Sequence, residues 1–527
     1  MTKAKEFRFE EEARNALRDG IDQLAEVVAI TLGPRGRTVG LQASFGSPII
    51  TSDGHSIAKE IELKDPFLNM GASMAKEVAA KIKEKAGDGT TTGIILLRAL
   101  VQAGVKNIAS GANPTSIKRG MDKALEALLQ EIDAMAVQVK NSKDTQNIAS
   151  VSASGNKEIG EKIAECFDKV GKEGVVSIEE GKGTETVIEL VEGMQFDRGY
   201  QSAYFCTNAD KLLVEMNSPL ILITDKKISS AQEILPILQH VATTGAELLI
   251  IAEELDGDAL STLVINKLRG SLKVAAVKAP GFGDRRKEML EDLAILSGAT
   301  VITEEKGLLL REASADLLGR ADQVIVSKEK TTIVGGKGTP KAIQARIAQL
   351  DAQSKNASSN YDREKLDERK AKLSGGVAVI KVGAPTESEM KKKKQSYEDS
   401  LNSTRAALEN GIVPGGGVTL LRASRSAKTP KLSKEEQVGA QILLRASEAP
   451  FKQIVSNAGF DPSIFLEEVL KSDKTVGFNA VSEKVEDLLK AGVIDPAKVV
   501  KSSLSHAVSV AGVVLLSEAL MADAEAM

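Results

Sequence analysis

The heptapeptide Ala86-Gly87-Asp88-Gly89-Thr90-Thr91-Thr92 sets one carboxylate between two glycines and follows it with three hydroxyls, ahead of an apolar-periodic run from Gly93 to Ala109. That run reads as a helix, so the threonines lie at its N-terminus, where free backbone N–H groups and the positive end of the macrodipole favour an anion. The glycines let a phosphate approach the backbone closely, and one carboxylate together with phosphate oxygens is a common way to hold Mg²⁺. The segment is therefore a candidate metal–nucleotide phosphate site. Taken alone it reads more readily as an ordinary helix cap, since Asp and Thr are favoured N-cap residues and glycines are common before helices. Other clusters in the chain decide between the two.

The elements that must position this loop are helical at both ends of the chain. Apolar spacing predicts helices over 9–32, 69–86, 92–109 and 114–135, with Gly or Pro between them. The polar start at residues 1–6 is expected to run straight into the first helix, with no signal peptide. The last 120 residues read alike, as helices over 436–459, 462–470, 482–491 and 496–522. The middle differs: the short apolar runs 220–223, 248–251, 274–277 and 300–302 read as strands. Helical segments of about twelve residues separate them, as βαβ units of a buried parallel sheet require. A charged helical stretch over 351–373 ends at Ser374-Gly375-Gly376, a candidate joint, and Gly193 and Gly411 are similar breaks. The order suggests an α/β domain inserted into a helical one.

Composition excludes several classes. At 527 residues, about three domains are expected. With 69 basic against 73 acidic residues there is no global field for nucleic acid or acidic lipid, and the run Lys391–Lys394 reads as a solvated helix face. Cys166 and Cys206 form neither a disulfide framework nor a metal spacing, which suits a reducing cytosol. Three dispersed histidines (His55, His240, His506) disfavour a histidine metal site or a catalytic triad. No uninterrupted apolar run of about twenty residues occurs, so no membrane span is expected. Trp is absent and aromatics are few, so the cores must be built from Ala, Val, Leu and Ile.

Further glycine and carboxylate clusters stand far from the first: Thr31-Leu32-Gly33-Pro34-Arg35-Gly36-Arg37, Ser52-Asp53-Gly54, Glu398-Asp399, Pro414-Gly415-Gly416-Gly417 and Gly492-Val493-Ile494-Asp495-Pro496. Singly each is a turn or a cap. Together, in this order and spacing, the chain from about residue 6 to 522 resembles the bacterial-type (group I) 60-kDa chaperonins. Gly111-Ala112-Asn113-Pro114, Phe196-Asp197-Arg198-Gly199-Tyr200, Lys278–Arg286 and Lys372–Ile380 extend the resemblance.

The resemblance implies a multi-domain α and α/β fold. Its parts would be an all-helical equatorial domain (1–134 and 411–527), a small α/β intermediate domain (135–192 and 376–410) and an inserted α/β apical domain (193–375). It implies an ATP site with Thr31, Leu32, Gly33, Pro34, Asp88, Gly89, Thr90, Thr91 and Thr92 around the phosphates and Asp88 holding Mg²⁺, with K⁺ as a further cofactor. Gly416, Asn479, Ala480 and Asp495 would surround base and ribose, and Asp53 and Asp399 would orient or activate the attacking water. Such chemistry needs charge neutralisation and a positioned nucleophile. Asp399 would arrive by domain closure, in the manner of a lid.

The βαβ region offers no convergent catalytic residues but carries apolar ones on helices. By resemblance, Tyr200, Tyr204, Phe205, Leu235, Leu238, Leu260, Val264 and Ile265 line a groove for non-native polypeptides and for a 10-kDa co-chaperonin lid, whereas Leu263 reads as core. Heptameric rings stacked in pairs are implied, with no nucleic-acid or membrane partner. The location implied is bacterial cytoplasm or, alternatively, an organelle matrix or stroma.

Four features depart from the family pattern. Ser52 stands where Lys is usual, removing a cation near the phosphates, and His55 replaces a usual Val. Val137-Gln138-Val139 lacks a hinge proline, and Ala524-Glu525-Ala526-Met527 lacks a Gly-Gly-Met tail. These changes motivate a rival reading, a divergent paralogue that binds polypeptide or ring subunits with little hydrolysis, although all three aspartates are retained. A small-molecule α/β enzyme is disfavoured by the absence of a Walker-type loop and of a polar cluster at the strand ends.

Overall fold

The computed structural model describes residues 4–42, 48–153, 155–171, 174–181, 183–209, 211–357 and 359–523. The departure at 524–527 lies outside them. The chain forms two compact units, one of residues 1–165 and 387–527, the other of residues 166–386. The segments 135–192 and 376–410, expected to form an intermediate domain, are shared between the two.

The first unit is a helical bundle. Its first helices are Glu10–Ala29, Pro66–Ala86, Thr90–Ala109 and Pro114–Met135, of which Pro66–Ala86 and Pro114–Met135 start at chemically marked points. Asp65 accepts from the Phe67 and Leu68 N–H groups at 2.7 and 3.1 Å ahead of Pro66, and Asn113 accepts from Ser116 N–H at 3.1 Å ahead of Pro114. Pro at the first helical position loses no hydrogen bond, and the side-chain cap satisfies an orphan donor. The two ends of the sequence share one core, running from Leu17 and Leu24 through Leu97 and Leu128 to Leu443, Leu504 and Leu515. A reciprocal glycine contact joins them. A methyl on Gly120 would lie 1.9 Å from the Glu436 carbonyl oxygen, and one on Gly439 would lie 2.0 Å from that of Ile117, so helices Pro114–Met135 and Lys434–Ala446 touch backbone to backbone. Helices Thr90–Ala109 and Ala497–Leu516 are long and apolar enough to cross a bilayer, but most of that surface is buried in this bundle.

Several expected helices are corrected. Lys5–Phe9 is a strand, pairing antiparallel with Ala519–Asp523, so the helix expected over 496–522 stops at Leu516. Residues 484–487 form a strand paired with Val476–Asn479, leaving only Leu488–Ala491 helical of the expected 482–491. The 436–459 helix is two, Lys434–Ala446 and Ala449–Asn457. The 5–9 strand takes its partner from the far end of the chain, and the 484–487 strand pairs across the turn at 480–483, so neither pairing registers in the periodicity of one segment.

In the second unit, Leu220–Ile223, Glu247–Ala252 and Lys273–Lys278 form the parallel core of a sheet, and Gly319–Arg320 closes its edge antiparallel. The fourth expected strand, 300–302, shrinks to one bridge between Ile302 and Thr224. Helices Leu235–Thr244 and Gly257–Leu268 connect the parallel strands, as βαβ geometry demands. An antiparallel sheet (Gly193–Phe196, Thr331–Val334, Gln323–Val326, Val214–Asn217) and a three-stranded sheet centred on Val377–Val382 complete the unit. Gly193 thus opens a strand. The charged stretch lies in helices Pro340–Asn356 and Asn360–Ser374, anchored by Arg346 and Arg369, which each donate to the buried Asp292 at 2.7 Å.

Candidate functional site

Helix Pro66–Ala86 ends at Gly87, whose φ of 75° turns the chain out. Asp88 follows, and Gly89 (φ 87°) is the N-cap of helix Thr90–Ala109. Asp88 is therefore not the cap. Its carboxylate accepts from the Gly89 N–H at 2.6 Å, and no side chain caps the Thr90 turn, so the first-turn N–H groups have no side-chain acceptor. Such a turn is suited to an anion. A methyl on Gly89 would stand 2.5 Å from Ser503 Oγ and 2.6 Å from Val499 Cγ1, so helix Ala497–Leu516 presses directly on the loop.

Three more carboxylates converge here from distant parts of the first unit. Asp53 caps helix Gly54–Glu60, accepting from Ser56 N–H at 2.9 Å and Ser56 Oγ at 2.6 Å. Asp399 projects from helix Glu387–Asn410 and bonds directly to Lys83, whose Nζ is also 4.0 Å from Asp53. Gln395 donates to the same Asp399 oxygen at 2.8 Å. Asp495 lies on strand Ile494–Pro496, paired with Ile412–Pro414.

Their protonation states diverge. Burial pushes Asp53 up, but the Lys83 ammonium and the Ser56 hydrogen bonds outweigh it and leave the carboxyl below its ordinary value. Burial raises Asp88 despite the Gly89 N–H, Lys83 and a hydrogen bond from Ser152. Asp399 is raised to about 6 by burial, opposed by Lys83 and reinforced by Asp53 and Asp88. Burial and then the nearby Asp88 charge raise Asp495 to about 7. The cluster holds more negative charge than one ammonium neutralises, which is the electrostatic signature of a site with room for a cation.

The 31–34 loop is held by Asn457, whose Nδ2 donates to the Ala29 and Leu32 carbonyls at 2.9 Å, and Gly33 takes φ 85°. Thr31 is buried, its hydroxyl donating to Val28 O at 2.8 Å. Pro34 is exposed. Arg35 ties this loop to the 476–487 hairpin, donating to Ala480 O at 3.3 Å and pairing with Glu483 at 2.8 Å. Within that hairpin Asn479 donates to Glu486 at 2.7 Å and accepts from Val481 N–H at 2.9 Å, so its amide shapes the turn. Gly416 (φ 65°) stands beside it, a methyl there lying 3.5 Å from Phe478 O.

The first unit thus gathers Asp53, Asp88, Thr91, Asp399 and Asp495, with the 31–34 loop and Gly416–Asn479–Ala480 on adjoining segments. Sequence reasoning missed Lys83 and Gln395, and took Arg35 only as part of the 31–37 cluster. Lys83 is one of three alternating lysines (81, 83, 85) before Gly87, and only packing tells which one faces inward. Ser52 is exposed, so the cation expected at that position is absent, but Lys83 supplies one to Asp53 and Asp399. His55 is lowered by burial and contributes least among the influences on Asp53. In the Lys391–Lys394 run, Lys391 and Lys392 are exposed, as a solvated face requires, with Lys391 pairing with Glu387 at 2.7 Å, whereas the half-buried Lys393 pairs with Glu158 at 3.2 Å. A cleft of about 360 Å³ elsewhere in this unit, between Arg14 and Glu518, contains none of the candidate residues.

In the second unit the eight expected groove residues separate by exposure. Tyr204, Leu235 and Ile265 are exposed at 65, 46 and 48%, while Tyr200, Leu260 and Val264 are half-buried. Phe205 and Leu238 belong to the core instead, as does Leu263. Leu268 and Phe282, for which no groove role is expected, are among the other exposed apolar side chains of this unit. Cys166 and Cys206 form no disulfide.

The TCP-1/cpn60 chaperonin family matches residues 24–525. Over 525 residues, covering all of this chain and 98% of the relative, the sequence is 63% identical to Chaperonin GroEL 3 of Protochlamydia amoebophila (strain UWE25). The helical bundle built from both ends of the chain, the inserted α/β unit and this extent of identity agree: the chain belongs to the TCP-1/cpn60 chaperonin family, in its group I branch, and its function is protein folding.

Proposed function

We propose that the carboxylate cluster of the first unit is an Mg²⁺-dependent ATPase site whose turnover drives the folding cycle. The convergence of Asp53, Asp88 and Asp399 beside an uncapped helix N-terminus carries this reading. Among the described residues no group of three or more His, Cys, Asp or Glu side chains forms a ready-made metal cage. The donor set suits a hard cation shared between one carboxylate, Asp88, and phosphate oxygens. Bound Mg²⁺ would supply charge neutralisation on the phosphates.

The residues around it do the rest. The Thr90–Thr92 turn binds phosphate oxygens through N–H and hydroxyl groups, and the 31–34 loop lies against the phosphates, with the Thr31 hydroxyl held inward on Val28 O. Gly416, Asn479, Ala480 and Asp495 hold the base and ribose. Asp53, kept ionised, orients the water. Asp399, its pKa raised to about 6, near where a general base works best, accepts the water's proton as the oxygen attacks the γ-phosphorus and the bond to the bridging oxygen breaks, releasing ADP and phosphate. K⁺ is a further cofactor of this reading.

Around this engine, Tyr204, Leu235 and Ile265 capture non-native polypeptide and a 10-kDa lid. The 135–192 and 376–410 segments act as an intermediate domain, and seven-membered rings, stacked in pairs, form the chamber. A bacterial cytoplasmic location suits this reading. Steady-state hydrolysis with and without Mg²⁺ tests the chemistry, with Asp399→Ala as comparison. A hundredfold or greater loss in the variant is expected, on the order of what a general base contributes, and turnover equal to wild type would refute it. The mass of the native particle, with and without ATP, tests the ring.

A further inference from the structure

We propose that Lys83 is a built-in positioning cation: its ammonium holds Asp399 at the site before any metal or nucleotide arrives, and shares its charge with Asp53. The inference rests on the ATPase reading of this site. Lys83 leaves the last turn of helix Pro66–Ala86 and its side chain is only 20% exposed. Its Nζ bonds to Asp399, whose side chain is 17% exposed, and lies 4.0 Å from Asp53, whose side chain is 24% exposed. Lys81, one turn face away, pairs with Glu77 at 2.5 Å instead.

The helix carrying Asp399 has two kinds of anchor. Toward its C-terminal half it is held by packing: Ala406 meets Ala86 and Val499, and Asn402 lies against Gly87 so closely that a methyl there would come 2.3 Å from Asn402 Cβ. At Asp399 itself the neighbours with charge are Asp53, Asp88 and Lys83. The two carboxylates repel Asp399; the ammonium is the charge that attracts it, beside the neutral hydrogen bond that Gln395 Nε2 donates at 2.8 Å. Removing that ammonium leaves three carboxylates facing one another in a half-buried site, which drives Asp399 away or forces it to hold a proton. Either outcome takes away the base. With Lys83 in place, a metal at Asp88 need not neutralise Asp399 as well.

The test compares full-length wild type with Lys83→Met, Lys83→Gln and Lys83→Arg. Loss of the ammonium is expected to lower kcat about tenfold or more while KM for ATP changes less than about threefold, and Arg is expected to restore most of the rate. Melting without nucleotide supplies a readout independent of turnover. Mg²⁺ alone should raise the melting temperature of the Met and Gln variants by about 2 °C or more, because a metal takes the vacated place, while wild type and the Arg variant respond little. Unchanged kcat in both neutral variants overturns the proposal, as does an equal Mg²⁺ response in all four proteins. If one neutral variant does not fold, the other carries the comparison. A wild type that hydrolyses no ATP refutes the ATPase reading, and the Mg²⁺ melting series then still judges Lys83.

Discussion

Gly54 faces Thr91 at such short range that a methyl group on Gly54 would lie 2.2 Å from the threonine hydroxyl oxygen. The same methyl would lie 3.2 Å from Val28 Cγ1, so the Asp53 turn, the Thr90–Thr92 turn and the helix leading to Thr31 meet at one glycine. Gly54→Ala should therefore push the Asp53 turn off the phosphate loop. We expect a stability loss of about 1–3 kcal/mol from overpacking and a fall in ATP turnover of about tenfold or more from misplacement of Asp53. Gly183→Ala, where the added methyl meets nothing within 4 Å, is the control that should leave both unchanged. Thermal melting and steady-state hydrolysis read the two effects separately.

Restoring a lysine at Ser52 discriminates a weakened site from a complete one. Ser52 is exposed, whereas Lys83 already contacts Asp399 and approaches Asp53. A second, solvated cation adds little where an inward-facing one is present, since an exposed ion pair contributes about 0–1 kcal/mol. Ser52→Lys should change nucleotide affinity by less than about fivefold, measured by titration calorimetry. A sharp gain would favour the paralogue with little hydrolysis of its own.

Asp495 should make stability fall with rising pH. Its carboxyl is raised from 3.8 to about 7 by burial and then by Asp88. The native state thus holds this proton more tightly than the unfolded chain does. The chain incurs no penalty below about pH 4, loses stability as pH rises from there to about 7, and loses no more above it. Asp495→Asn removes the penalty. The variant should melt with wild type near pH 4 and above it at pH 8, by about 1–2 kcal/mol once the partial solvent access of Asp495 is allowed for. A difference independent of pH would contradict the assignment.

The groove residues should separate by burial. Tyr204→Ser, Leu235→Ser and Ile265→Ser remove exposed apolar surface, so capture of an unfolded polypeptide should drop several-fold while ATP turnover and melting temperature hold. Phe205→Ser acts on a fully buried ring and should destabilise the second unit by about 3–5 kcal/mol. Light scattering during client refolding, with melting curves, distinguishes the two groups.

Elements with signals at both ends were legible from the chain. Helix Pro114–Met135 was delimited correctly because Asn113 and Pro114 mark its start and its apolar spacing runs without interruption to the end. Strand Lys5–Phe9 carries no local signal, because its partner, Ala519–Asp523, lies at the other end of the sequence, and a two-stranded ribbon owes its form to that pairing. In hairpin Val476–Asn479 with Lys484–Asp487 the partner is near in sequence, but the turn at 480–483 carries no Asn-Gly or Asp-Gly signal, so the second strand reads as helix.

The sequence by itself determined the kinds of groups available: one carboxylate between glycines before a threonine-led helix, further aspartates in glycine-rich turns, and apolar residues on the connecting helices of a βαβ region. Those follow from local chemistry and spacing. Tertiary structure decided which groups meet. It showed that Asp88 does not cap its helix, that Lys83 rather than its neighbouring lysines faces Asp399 across 316 positions of chain, and that Phe205 and Leu238 lie in the core. Burial and charge proximity set the pKa values of Asp399 and Asp495, and both are properties of packed neighbours, which spacing along a chain does not encode.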